Sequence, residues 1–129
     1  MTTTQIFLYL IIAVAIIAWV RRFLLARGVK QYSAHEVAGR IKNGGNVVLL
    51  DVRTAAERQA GQIRGSIHIP LIELRDRIGE LTRYRTSEVI CYCQSGNRSV
   101  AAAALLRKNG FAVGNLKGGI AGWNFSGLA

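Results

Sequence analysis

The sequence predicts an α/β fold: a mostly parallel central sheet flanked by helices on both faces, preceded by one transmembrane helix. Three observations carry this expectation. From Tyr32 to Trp123 short β-prone apolar runs alternate with helical runs, the order from which a helix-covered parallel sheet is built. Val47-Val48-Leu49-Leu50 is apolar without alternation, as strands buried on both faces are. The uncharged run Ile6–Val20, with Thr2 to Gln5 also uncharged before it, approaches the about 20 residues needed to cross a bilayer core.

The 129 residues suffice for one domain of ordinary size. We divide them into residues 1–31, an anchor with a basic juxtamembrane linker, and residues 32–129, the α/β domain. There are 17 Lys and Arg against 7 Asp and Glu, a formal net charge of +10, and every charged side chain lies at Arg21 or beyond. Arg21, Arg22, Arg27 and Lys30 directly follow the apolar run. A cleavable signal would show the reverse order, cations first and small residues after. A retained span fits better, and the positive-inside tendency then puts the rest of the chain in the cytoplasm. The expected location is the cell inner membrane, single-pass, held through residues 6–20, with Tyr9 and Trp19 near the two interfaces.

In the domain, Ser33-Ala34-His35-Glu36 is a capping box opening a helix through Val37 and Ile41 that stops at Gly44-Gly45. The Val47–Leu50 strand follows and ends in Asp51-Val52-Arg53. Thr54-Ala55-Ala56-Glu57 is a second capping box, for a short helix ending by Gly61. The glycine-punctuated stretch Gly61–Pro70 holds a short strand. Pro70 then suits the start of a helix running to about Leu81, because Leu71, Leu74, Ile78 and Leu81 recur at helical spacing. Glu88–Tyr92 is a strand, Ser99 opens a helix that ends in Arg107-Lys108-Asn109-Gly110, Phe111 to Leu116 is a last strand, and Gly118–Trp123 a terminal turn or short helix.

Between strand and helix stands Cys93-Gln94-Ser95-Gly96-Asn97-Arg98-Ser99. The first amides of a helix lack intrahelical partners and favour an anion, so a thiol placed there is stabilised as thiolate, its pKa drawn down from about 8.5. Gly96 permits a tight turn and Arg98 adds a cation. A buried structural cysteine is the alternative reading of Cys93 alone. Cys91, two residues earlier, reads as a core thiol. A disulfide between the two would close a very small ring, and nothing else in the cysteine usage points to an oxidising compartment. His35 and His68 have no partnering ligands, so no metal site is expected. Arg75, Arg77, Arg83 and Arg85 form a solvated face without the interleaved aromatics of a nucleic-acid surface, and nucleic acid is not an expected partner. Asp51 and Arg53 read as bonding loop amides and each other.

Taken together, Asp51-Val52-Arg53 with Glu57, Gly61-x-Ile63-x-Gly65-Ser66-x-x-Ile69-Pro70, Cys93-x4-Arg98-Ser99 and Gly118-Gly119-Ile120-x-Gly122-Trp123 resemble a rhodanese domain. The resemblance covers about Tyr32 to Trp123; Gln62 departs from it, where the family often has histidine. It implies that Cys93 accepts sulfane sulfur from a small donor, thiosulfate or a persulfide, and passes it to cyanide, a thiol or a protein acceptor, with no cofactor. The loop Gln94 to Ser99 would then cradle the persulfide, Arg98 would bind an anionic donor or orient the loop, Ser99 would cap the helix, and Asp51 and Arg53 would support the site. A sulfur-relay module that docks a partner protein is the alternative function. The related Cys-x5-Arg phosphatases carry one more loop residue, a wider ring than the one here.

Overall fold

The computed structural model of the chain describes residues 1–128. A helix α1 (Thr3–Ala26) leads into β1 (Lys30–Tyr32), α2 (Ala34–Lys42), β2 (Val47–Asp51), α3 (Ala55–Ala60), β3 (Ile67–His68) and α4 (Leu71–Arg77). A 3₁₀ helix (Ile78–Tyr84), β4 (Glu88–Tyr92), α5 (Arg98–Lys108), β5 (Ala112–Leu116) and α6 (Gly119–Phe125) complete the chain. The five strands form one sheet in the order β1-β5-β4-β2-β3. Every pairing is parallel, with Leu50 beside Cys91 and Cys91 beside Asn115 across the three central strands.

The side-chain alternation of β4 divides the core. Val89 and Cys91 face α4, the 3₁₀ helix and α5, packing with Leu74, Leu81, Ala102 and Leu106. Ile90 and Tyr92 face α2 and α6, packing with Val37, Ile120 and Trp123. Leu74, Leu81 and Leu106 are fully buried, and each contributes about 1.5–3 kcal/mol relative to exposure. Helices on both faces explain why β2 and β4 lack a polar side.

Both expected capping boxes form: Ser33 Oγ accepts from the Glu36 amide and Thr54 Oγ1 from the Glu57 amide. A third, Thr2 with Gln5, starts α1. Two elements differ from expectation. Lys30–Tyr32 is an edge strand, three residues long and largely polar, too short to show a period. The helix from Leu71 does not run unbroken to Leu81; it tightens into the 3₁₀ turn at Ile78. The apolar spacing explains this, because Ile78, Leu81 and Tyr84 follow at three-residue intervals, which eclipse on a 3₁₀ helix.

Along α1 the large apolar side chains from Ile6 to Leu24 are exposed. Among the described residues it is the one helix long and apolar enough to cross a membrane.

Candidate active site

Cys93 follows the last residue of β4, and α5 begins at Arg98, so the loop between them lies at the carboxyl edge of a parallel sheet. Such edges are where open α/β sheets place their sites. Gly96 takes φ +97°, and a Cβ there would stand 3.2 Å from the Gly118 amide nitrogen and 3.3 Å from the Leu116 carbonyl oxygen. Only glycine turns the chain there without strain.

The Cys93 thiol is buried. Its sulfur accepts from the Gly96 amide at 3.1 Å and from the Ser99 hydroxyl at 3.4 Å. Burial pushes the thiol up, but the Ser99 hydroxyl and the amides of Ser99, Gly96 and Ser95 outweigh it and hold the group below its ordinary value. Cys91 lies in the core under α5, and burial, with Cys93 nearby, drives its thiol far up. Of two cysteines two residues apart, one is poised as thiolate and the other is kept neutral.

Ser99 is not the helix cap. Asn97 occupies that position, without a side-chain cap bond, and Ser99 sits in the first turn. Its hydroxyl is turned inward, 2.5 Å from Asn115 Oδ1, and bonds the sulfur instead of a backbone amide. Asn115 in turn donates to the Gly96 carbonyl at 3.3 Å and to Gln31 Oε1 at 2.8 Å. The sequence signal for Asn115 was a single amide within the apolar strand from Val113 to Leu116; once buried, such a group needs partners, and these are they.

Arg98 forms a two-pronged pair with Glu57, both contacts at 2.7 Å. The Arg98 guanidinium holds the Glu57 carboxyl down at about 2, with the Thr54 cap adding to the effect. The pair ties the first turn of α5 to the first turn of α3, and part of the guanidinium stays exposed at the rim.

Asp51 and Arg53 bond each other, as expected, and both are buried. Arg53 donates to Asp51 through Nε at 3.0 Å and Nη2 at 2.9 Å, and also to the Gly61 carbonyl at 2.6 Å and Gln94 Oε1 at 3.5 Å. Burial pushes the Asp51 carboxyl up, yet Arg53 and Arg58 together hold it below its usual range. The Tyr92 hydroxyl adds a 3.2 Å bond to Asp51 and accepts from the Ile63 amide. This buried network fixes the Gly61–Ser66 segment and reaches the cysteine loop through Gln94 and, by way of the Glu57 carbonyl that accepts from Arg53 at 3.3 Å, the residue paired with Arg98.

Gln94, Ser95 and Asn97 are exposed at the mouth. Behind the loop, α6 donates its first amides to it: Ile120 to the Cys93 carbonyl at 3.0 Å and Ala121 to the Gln94 carbonyl at 3.1 Å. Gly119 is so close that a Cβ would lie 2.4 Å from the Cys93 carbonyl oxygen. Among the described residues, no group of three His, Cys, Asp or Glu side chains is arranged to hold a metal ion.

The class these features define is an α/β domain that presents an amide-cradled thiolate at the end of a parallel sheet. Residues 33–126 match the model of the rhodanese-like domain family, and the chain belongs to that family. It is 35% identical over 101 residues to a sulfurtransferase of Allochromatium vinosum, covering 78% of this chain and 92% of that protein. It is 32% identical over 99 residues to the putative sulfur carrier protein YrkF of Bacillus subtilis, covering 76% of this chain and 52% of the relative. Among solved structures, the thiosulfate sulfurtransferase of Pseudomonas aeruginosa superposes with a TM-score of 0.69 at 30% identity, over 78% of this chain and 20% of that one. The relatives are thus sulfurtransferases and sulfur carriers, some of them much longer than this chain.

Proposed function

We propose that this chain is a membrane-tethered sulfurtransferase that carries sulfane sulfur as a persulfide on Cys93. The observation that carries the reading is the amide and hydroxyl shell that lowers the Cys93 thiol despite its burial. With thiosulfate as donor, the Cys93 thiolate attacks the outer sulfur, the S–S bond of thiosulfate breaks, and sulfite leaves with the electron pair. The negative charge now rests on the terminal sulfur of Cys93–S–S⁻, and the same amides face it. An acceptor thiolate or cyanide attacks that terminal sulfur, and Cys93 leaves as thiolate. Two half-reactions sharing one sulfur predict ping-pong kinetics.

Arg98 sits at the rim, where its exposed part offers an anionic donor a cation while Glu57 fixes its direction. Arg53 and Asp51 support the loop from behind, through the bond from Arg53 to the Gln94 side chain. Helix α1 is the tether: its run from Ile6 to Val20 is apolar and exposed, and Arg21 and Arg22 directly after that run support a cytoplasmic side of an inner membrane for the domain.

The test uses the purified full chain. Thiosulfate should add the mass of one sulfur atom to the peptide containing Cys93, and Cys93→Ser should abolish both that adduct and thiocyanate formation from cyanide. Thiocyanate formation surviving in the serine variant would refute the assignment. A docking relay is the second reading, favoured by the sulfur-carrier relative. It predicts slow turnover with small donors but ready transfer to a protein thiol. The tether predicts membrane partitioning that resists high salt, with the C-terminus shielded from protease outside the cell.

A further inference from the structure

We propose that α1 orients the domain with the mouth of the Cys93 loop against the membrane, and that this rim is a docking surface for an anionic bilayer. The proposal rests on the tether reading given above.

The chain direction carries it. Only Arg27 to Val29 separate α1 from β1, with Gly28 at φ +82° making the turn. β1 runs parallel to β5, pairing Lys30 with Gly114 midway along it and Tyr32 with Leu116, and the segment that feeds β1 comes from the edge opposite Cys93, where Gly28 shares a cleft with Glu88, Phe111 and Ala112. Helix α1 must therefore finish at that far edge. α5 makes the same journey, leaving the Cys93 edge at Arg98 and finishing at Lys108.

The two helices meet at both ends of this path. Near the loop, Ala18, Arg21 and Arg22 share a cleft with Asn97, Val100 and Ala101, and the Arg22 guanidinium donates to the Asn97 side-chain oxygen. At the far edge a Cβ on Gly28 would lie 2.6 Å from the guanidinium carbon of Arg107. The last turns of α1 thus lie along α5, and the apolar part projects past the edge that bears Cys93.

The apolar helix from Thr3 to Val20, whose last turn includes Ala18 beside α5, is about 27 Å long at ~1.5 Å per residue, close to the about 30 Å of a hydrocarbon core. Arg22, bonded to the loop, lies two residues beyond Val20, a rise of about 3 Å, which is less than the headgroup layer of one leaflet. The loop mouth is therefore held at headgroup depth.

Two features of the rim suit that position. Arg21 and Arg22 are exposed at its level and match anionic headgroups. Ile72, in the first turn of α4 and lining the cleft that contains Arg98, is 91% exposed, an apolar side chain pointing out beside the loop. Reactants of Cys93 then reach it through the interface rather than from open solution.

The experiment uses the full chain carrying Cys93→Ser, so that a nitroxide attaches only at an introduced cysteine, Cys91 being buried. Labels go at Ile72→Cys and Gln94→Cys near the mouth and at Thr86→Cys on the far edge, all exposed sites. The protein is placed in vesicles of phosphatidylcholine, with or without phosphatidylglycerol. Collision with oxygen relative to a water-soluble nickel chelate should be several-fold greater at the two mouth labels than at Thr86→Cys, and greater still with phosphatidylglycerol present. Protein that floats with the vesicles while all three labels are equally aqueous would keep the tether and overturn the orientation. Equal values in the two lipid compositions would overturn the anionic preference. Protein that does not float would overturn the tether and this inference with it.

Discussion

Replacing Ser99 with alanine isolates the hydroxyl donor on the Cys93 sulfur. A hydrogen bond to a charged group is worth about 1.5–3 kcal/mol, but this one is long, 3.4 Å, and its single proton is shared with Asn115 Oδ1 at 2.5 Å. The lower end, about 1.5 kcal/mol, is the appropriate figure and corresponds to roughly a tenfold change in the acidity of the thiol. Ser99→Ala should therefore raise the Cys93 pKa by about one unit, leaving the amides to provide the rest. Alkylation by iodoacetamide followed against pH measures it, with Cys91 silent. A more basic thiolate is also a better nucleophile, with a Brønsted slope of about 0.4–0.5, so the rate below both pKa values should fall only about threefold, and the high-pH plateau should rise about threefold. An unchanged midpoint would refute the assignment of the hydroxyl as a thiolate donor. The signs for stability follow from linkage. A lowered thiol pKa adds stability that is fully present above the unfolded value of about 8.5 and is lost as pH falls through the folded value, so the variant should lose less stability across that interval than the parent. Asn115 Oδ1, left unpartnered in the core, adds a pH-independent loss of about 1–3 kcal/mol, read by urea denaturation.

Glu57, held at about 2 by Arg98 against an ordinary 4.5, contributes stability that is present above about pH 4.5 and lost as pH falls toward 2. Glu57→Gln should thus be less stable than the parent at pH 7 and indistinguishable from it near pH 2, as followed by circular dichroism. Gly119→Ala puts a methyl 2.4 Å from the Cys93 carbonyl oxygen at φ +60°, so the loop must shift; sulfur transfer should drop by about tenfold or more, since small misplacements are costly, while the far-ultraviolet spectrum is kept. Asp51→Asn leaves Arg53, 3% exposed, without its counter-charge, and should cost about 3 kcal/mol or more by thermal denaturation.

The strands and helices that face the core were legible because burial imposes a period or an unbroken apolar run: Val47–Leu50, Glu88–Tyr92 and the two capping boxes of the domain all stand where the sequence places them. The edge strand β1 was not, since its pairing with β5 is decided by where α1 leaves the chain rather than by its own three residues. In the site, the cysteine, the turn glycine and the Asp51–Arg53 pair could be read locally. The partners across the fold could not. Arg98 meets Glu57 at a separation of 41 residues, and Ser99 meets Asn115 at 16, so a helix-cap reading of Ser99 was the best that local spacing offered. A hydroxyl chooses between a nearby amide and a distant acceptor according to which is buried with it.

The ties between α6 and the loop decide which way the loop's peptide groups point. A peptide unit is planar, with its carbonyl and the next N–H directed oppositely. The Gln94 carbonyl is drawn outward to the Ala121 amide, which aims the Ser95 N–H at the sulfur. The Gly96 carbonyl is drawn to the Asn115 side chain, which turns the Asn97 N–H the other way. The anion preference of the mouth is thus set from outside, by the groups that restrain its oxygens. The Cys93–Ser99 heptapeptide moved alone onto another strand–helix junction would keep the thiol and lose the polarity that makes it reactive.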